Sequence, residues 1–100
     1  MEWKVERTQT FDKWWDKEGV ANGNYKYHEE ALKQFNNRIS LTHDVQCPFF
    51  RNIHYECWSV RMPDKIRHQG KRGGFRVVFV IDLNEKILFL QGIMQQRLLV

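Results

Sequence analysis

The sequence predicts a single α+β domain spanning residues 1–100, with two N-terminal helices packed on a small antiparallel sheet of about four strands. Three observations carry that expectation. A chain of 100 residues supports one hydrophobic core and no more. Its composition is 42% hydrophobic and 14% aromatic with only two prolines, which places it among packed globular chains and away from disorder. Its apolar pattern has the period of a helix in the N-terminal half and alternates like a strand in the C-terminal half.

Each element follows in order. Residues 3–7 (Trp-Lys-Val-Glu-Arg) alternate apolar and polar, as a strand with one buried face does. Thr10 then offers a hydroxyl cap to a short helix carrying Phe11, Trp14 and Trp15 at spacings of three and four, with Asp12 in its first turn. That helix ends by Gly19, and residues 19–24, with two glycines and two asparagines, read as a connection. A second helix is expected over residues 26–39, its stripe being Tyr27, Ala31, Leu32, Phe35 and Ile39, with Glu29 and Glu30 near its positive end.

Residues 40–56 lack a clean period and contain Pro48, so they read as a loop with at most a short extended piece. Residues 58–62 alternate again, and Pro63, which has no ladder donor, ends that strand. Residues 75–82 and 86–94 are two further strands joined by a tight hairpin at 83–85. Phe75, Val77, Phe79 and Ile81 point one way and Val78 and Val80 the other, so these strands are expected to be central and covered on both faces.

Several function classes recede on composition. The longest apolar run, residues 77–81, is far short of the roughly 18 residues of a spanning helix, and the N-terminus does not open a secretory signal, so a cytoplasmic protein without a membrane role is expected. Cys47 and Cys57 belong to no CxxC pair and are expected to be reduced. His43, Cys47, His54 and Cys57 have a spacing that four zinc ligands tolerate, yet neither half matches a standard knuckle and each residue fits equally as core or loop. Nothing marks either cysteine as an activated nucleophile. Neither metal nor cofactor is therefore expected. The tryptophans offer rings for base stacking, but Trp14, Trp15 and Trp58 have the spacing of core residues.

Charge is more informative. The chain carries a net +4, and residues 61–76 hold six cations against the single acid Asp64, a local +5 that leaves the rest of the chain slightly negative. Within it, residues 63–74 contain Lys65, Arg67, His68, Lys71 and Arg72 with three glycines: cations that neutralise a phosphate chain on a backbone expected to be mobile. A solvated hairpin loop is the competing reading. Arg76 lies one residue inside an apolar strand, where a guanidinium needs an anion or an acid. It is either a clamp for an anionic substrate or the partner of an acid such as Asp82, Glu6 or Glu56. Arg61 alternates onto the side opposite Trp58, Val60 and Met62, and would share a sheet surface with Arg76 if the two strands pair.

Residues 70–79, Gly-Lys-Arg-Gly-Gly-Phe-Arg-Val-Val-Phe, resemble a glycine- and arginine-rich stretch of HigB-like members of the RelE/ParE toxin superfamily. Residues 11–17, Phe-Asp-Lys-Trp-Trp-Asp-Lys, are similar to that group's opening helix, and the order of strand, two helices and three-stranded meander is similar to its layout. The likeness covers most of the chain, and the glycine-arginine stretch is its specific part. What it implies is the toxin of a type II toxin-antitoxin system, a ribosome-dependent mRNA endoribonuclease in which a ribose 2′-hydroxyl attacks the adjacent phosphate. By resemblance Arg76 falls on the phosphate-clamping arginine and Arg61 on a basic position of the preceding strand, while Lys65, Arg67, Lys71 and Arg72 would bind RNA phosphates. Departures are present as well. Ser59 stands where RelE carries a lysine, Gln95 near another active-site arginine, and the sequence ends at Val100, before the segment that supplies a tyrosine. Arg97 would then supply the last cation, and His54 and His68 the imidazoles available for proton transfer. The implied partners are a helix-turn-helix antitoxin, the ribosome and mRNA. The same resemblance admits a ParE-like inhibitor of DNA gyrase that is not an enzyme, or an RNA- or protein-binding module that has lost catalysis.

Overall fold

The computed structural model describes residues 2–39, 44–47 and 52–96. The chain is α+β, with the elements β1 (Lys4–Arg7), α1 (Gln9–Lys17), α2 (Asn24–Lys33), β2 (Val45–Gln46), β3 (Tyr55–Met62), β4 (Phe75–Asp82) and β5 (Ile87–Gln95), and one 3-10 turn at Lys71–Gly73. The sheet has five strands in the order β1-β5-β4-β3-β2. The expected antiparallel sheet of about four strands is thus corrected. β3, β4 and β5 form the antiparallel meander, but β1 lies parallel to β5, with Val5 opposite Leu88. A hairpin forces antiparallel pairing, whereas a connection containing two helices leaves strand direction free, and alternation in sequence carries no sign of direction.

Thr8, not Thr10, caps α1: its hydroxyl accepts from Phe11 N at 3.2 Å and donates to Leu90 O at 2.6 Å, joining the helix start to β5. The second helix begins at Asn24 and stops at Lys33, six residues before the expected end. Its stop has a cause remote in sequence. Trp3 N donates to Lys33 O at 2.9 Å and Trp3 Nε1 to Phe35 O at 2.6 Å, so carbonyls at and just beyond the helix end are satisfied by the residue before β1. The buried stripe is Asn24, His28 and Leu32, while Tyr27 and Ile39 are 49% and 65% exposed. Glu29 and Glu30 lie mid-helix and pair with Lys33.

The core fills the space between the helices and one face of the sheet. Phe11, Trp15 and Leu32 meet Trp58, Val60, Phe75, Val77, Phe79, Ile81, Leu88, Leu90 and Ile93, all nearly or fully buried. In β5 the buried residues are spaced two and then three apart, because the register against β4 shifts between Val78 and Phe79. That bulge keeps Leu90 and Ile93 both inward and sets Gly92 opposite Val78 on the other face. Asp82 closes the last hairpin by accepting from Asn84 N and Glu85 N, and Lys86 takes φ 60 before β5 starts at Ile87.

The outer face differs from expectation. Among the described residues no helix or strand covers it, and Ser59, Arg61, Arg76, Val78 and Val80 are half-buried there. The central strands are sealed on one side only. Among the described residues, no helix is long and apolar enough to cross a membrane.

Candidate functional site

Antiparallel pairing of β3 with β4 sets Arg61 directly opposite Arg76 on the uncovered face, with Met94 of β5 next in the same row. Two like charges in facing positions repel, which makes this row the most cationic stretch of the sheet surface. Arg76 is held in place: its Nη1 donates to Ser59 Oγ at 3.1 Å and to Ser59 O at 3.4 Å. Arg61 is not held in that way. Its Nε is buried and has no hydrogen-bond partner among the described residues. Arg7, across the sheet, bonds Asp12 at 2.7 Å and lies 4.4 Å from the centre of the Tyr25 ring.

None of the acids offered from sequence as a partner for Arg76 reaches it. Glu56 lies on the helix-covered face, where it accepts from Trp58 Nε1 at 2.9 Å. Asp82 shares the face of Arg76 but sits six residues along β4, about 20 Å away at the rise of a strand. Glu6 sits two strands across and bonds Lys4 at 3.1 Å.

The basic segment is not the mobile loop that its glycines suggest. Asp64 and Asn24 are 2% and 0% exposed, and Asn24 Nδ2 donates to Asp64 Oδ1 at 3.1 Å. Asn24 Oδ1 accepts from Lys65 N at 2.8 Å, Asp64 Oδ1 from Arg67 N at 3.0 Å, and Asp64 and Gln69 pair through both backbones. Lys65, Arg67 and His68 therefore project from a pinned turn rather than a free one. Gly74 is buried, and an added Cβ would collide with the backbone at Met62 O; it serves close strand packing, not approach to a phosphate. Of the three glycines, only Gly70 faces open space. Lys71 and Arg72 are exposed in the 3-10 turn.

His28 closes the network. Its Nε2 donates to Pro63 O at 2.8 Å, which leaves the buried Nδ1 bare of any partner among the described residues. Burial pushes its pKa below the ordinary 6.5, against weaker opposing effects of Pro63 and Asp64, so the ring is neutral near pH 7. The signal for this network in the sequence was Asp64, the one acid in a run of cations.

The histidines expected at the site separate. His54 lies just before β3, about 23 Å along the strand from Arg61, and its Nδ1 meets Asn84 Nδ2 at 3.0 Å. It is removed from the arginine end. His68, exposed with φ 56 in the turn after β3, is at that end. Arg97, His43, Pro48 and Val100 lie outside the described residues. Cys47 and Cys57 meet across β2 and β3, whereas His54 has turned to the hairpin.

Two grooves flank the arginines. One of about 280 Å³ opens at the edge of β3 beyond the end of β2, with Leu32, Phe35, Val60 and Met62 in its wall and Arg61, Lys71 and the acid Asp44 as its charged lining. The other, about 210 Å³, lies between Trp14 and Val78, Gly92 and Met94, next to Arg76. Trp3, Trp15 and Trp58 are core residues, but half-buried Trp14 reaches this groove, with Lys17 Nζ 4.7 Å from its ring centre. Together the arginine row and its grooves can hold an anionic group and stabilise added charge on it, with apolar room beside it. A scan against protein-family models and searches of curated proteins and of solved structures find no match to this chain.

Proposed function

We propose that this protein is the toxin of a type II toxin-antitoxin system, of RelE-like fold, and that it cleaves mRNA on the ribosome. The observation that carries the reading is the facing pair Arg61 and Arg76 on an uncovered sheet surface, with Lys65, Arg67, Lys71 and Arg72 projecting from the same end of β3 and β4. The order of strand, two helices and antiparallel meander is compatible with the fold implied by the glycine-arginine resemblance. In this reading the two guanidinium groups take the scissile phosphate and stabilise the charge that develops when the 2′-hydroxyl attacks. His68, the exposed histidine at that end, accepts the hydroxyl proton. A base beside the phosphate lies in the groove at Trp14 and Met94, and the exposed cations hold the flanking backbone. A helix-turn-helix antitoxin with an acidic segment covers this surface in the resting complex, in the cytoplasm.

A second reading is binding without cleavage, as a ParE-like gyrase inhibitor or as a module that has lost catalysis. Ser59 favours it: in RelE a lysine stands at this position, and here the serine engages Arg76. Induction of the chain without a partner separates the readings. Growth arrest with messages cleaved within codons, mapped by primer extension on programmed ribosomes, is the expected result. Arrest with supercoiling defects and intact messages would instead select the gyrase reading, and harmless high-level expression would overturn both toxin readings.

A further inference from the structure

β2 is only two residues long, and it places Val45 opposite Ser59 and Gln46 opposite Trp58. The pairing runs on for one more residue, since Cys47 N donates to Cys57 O at 2.8 Å. Cys47 therefore faces Cys57 across two adjacent strands, and their Sγ atoms lie 2.9 Å apart as free thiols. Both are half-buried, so solvent and small reagents reach them. Facing antiparallel positions fall within the Cα separation that a disulfide spans, and the sulfurs need to close by only about 0.9 Å to bond.

We propose that Cys47 and Cys57 form a reversible thiol-oxidation site that takes small-molecule disulfides of the glutathione class. The Cys47 thiolate attacks one sulfur of the oxidised glutathione, forming a mixed disulfide and expelling one glutathione thiolate. Cys57 then loses its proton to solvent and attacks Cys47 Sγ, expelling the second. Two protein thiols are oxidised to one disulfide, and one glutathione disulfide is reduced to two thiols. The order of attack follows from the geometry: Cys47 lies just past the edge strand β2 and Cys57 one strand further in, where burial pushes its thiol up. Cys57 is thus the resolving thiol, and closure quickens as pH rises.

The position gives this chemistry a consequence. Cys57 precedes Ser59, which holds Arg76, by two residues on the same strand face, and Val45 is the register partner of Ser59. Oxidation would tie β2 covalently beside that anchor. The inference is independent of what the arginines bind.

The test uses the full chain, reduced, desalted and incubated at pH 8 in glutathione mixtures of increasing oxidised fraction, then acid-quenched for intact mass. The expected product is a monomer lighter by two hydrogens, with no titratable thiol, a melting temperature higher by about 10 °C, and full reversal by dithiothreitol. Cys57→Ser should stop at a single glutathione adduct on Cys47, and Cys47→Ser should form no internal bond. A wild-type chain that stays a dithiol throughout the series overturns the proposal. So does one that takes a separate adduct on each cysteine, or that links only between chains on a non-reducing gel.

Discussion

Arg76 and His28 are both polar groups set into apolar surroundings, one on the open face of the sheet and one in the core. Arg76 lies on the open face with one guanidinium nitrogen on Ser59. If it stabilises phosphorane charge, Arg76→Ala should lower ribosome-dependent cleavage by about two to three orders of magnitude with an unchanged melting curve. Arg76→Lys should restore only part of the rate, since a point charge does not reproduce a planar fork of donors. Cleavage at the parent rate, in the primer-extension assay, would make Arg76 a purely structural residue. His28 is instead internal and neutral, so its effect is on folding. Its folded pKa is depressed below 6.5, so the unfolded chain binds the extra proton first as pH falls. The stability it contributes is fully present above about pH 6.5 and declines as pH drops below that value toward the folded pKa. Urea midpoints measured between pH 7.5 and 5 should fall for the parent chain and fall less for His28→Leu; equal slopes would show that another group governs the acid response.

At the scale of elements, the basic segment depends on a side chain from a helix that is remote in sequence. Asn24, in the first turn of α2, joins Asp64 and the amide of Lys65 and holds the turn from which Lys65, Arg67 and His68 project. Asn24→Ala would leave a buried carboxylate and a buried amide short of partners, a loss of about 2–3 kcal/mol. Hydrogen exchange at the amides of Lys65 and Arg67 should accelerate in that variant before global unfolding does; unchanged protection there would mean that the turn holds itself. The cap of α1 provides a second case. Thr8→Ala removes both the helix cap and a bond to β5, and should lower stability by about 1–2 kcal/mol, read from chemical denaturation. Thr10→Ala, inside the helix, should have little effect.

For the whole molecule, the decisive feature is the segregation of charge and cover. Both helices pack against one face of the sheet, and the cation-rich residues 61–76 gather at one end of β3 and β4 beside the other face. A macromolecule of opposite charge that docks there releases counterions and gains from the facing arginines. Binding of a partner with an acidic docking segment should therefore weaken steeply between low and high ionic strength, as read by titration calorimetry at several salt concentrations. Lys71→Ala with Arg72→Ala should flatten that dependence without altering the fold. An affinity insensitive to salt would contradict this account of the surface.

The fold class, both helices, the three long strands and the inward set Phe75, Val77, Phe79 and Ile81 are legible in the sequence, because local period reports which side of an element is apolar. So is the facing of Arg61 and Arg76, as a consequence of alternation once the strands pair. Other features depended on contacts between residues far apart in the chain. Trp3 ends α2 at Lys33, Thr8 rather than Thr10 starts α1, and β1 joins β5 in parallel. His54 was separated from the arginine end and Asn24 was brought to Asp64 by the same kind of long-range placement. Sequence by itself determined what each element buries, since burial follows from side-chain chemistry repeated at a local period. Only the tertiary structure decided which face stays open, which polar groups meet and where the basic turn is held, because hydrogen bonds and strand pairings between distant residues leave no period in the chain.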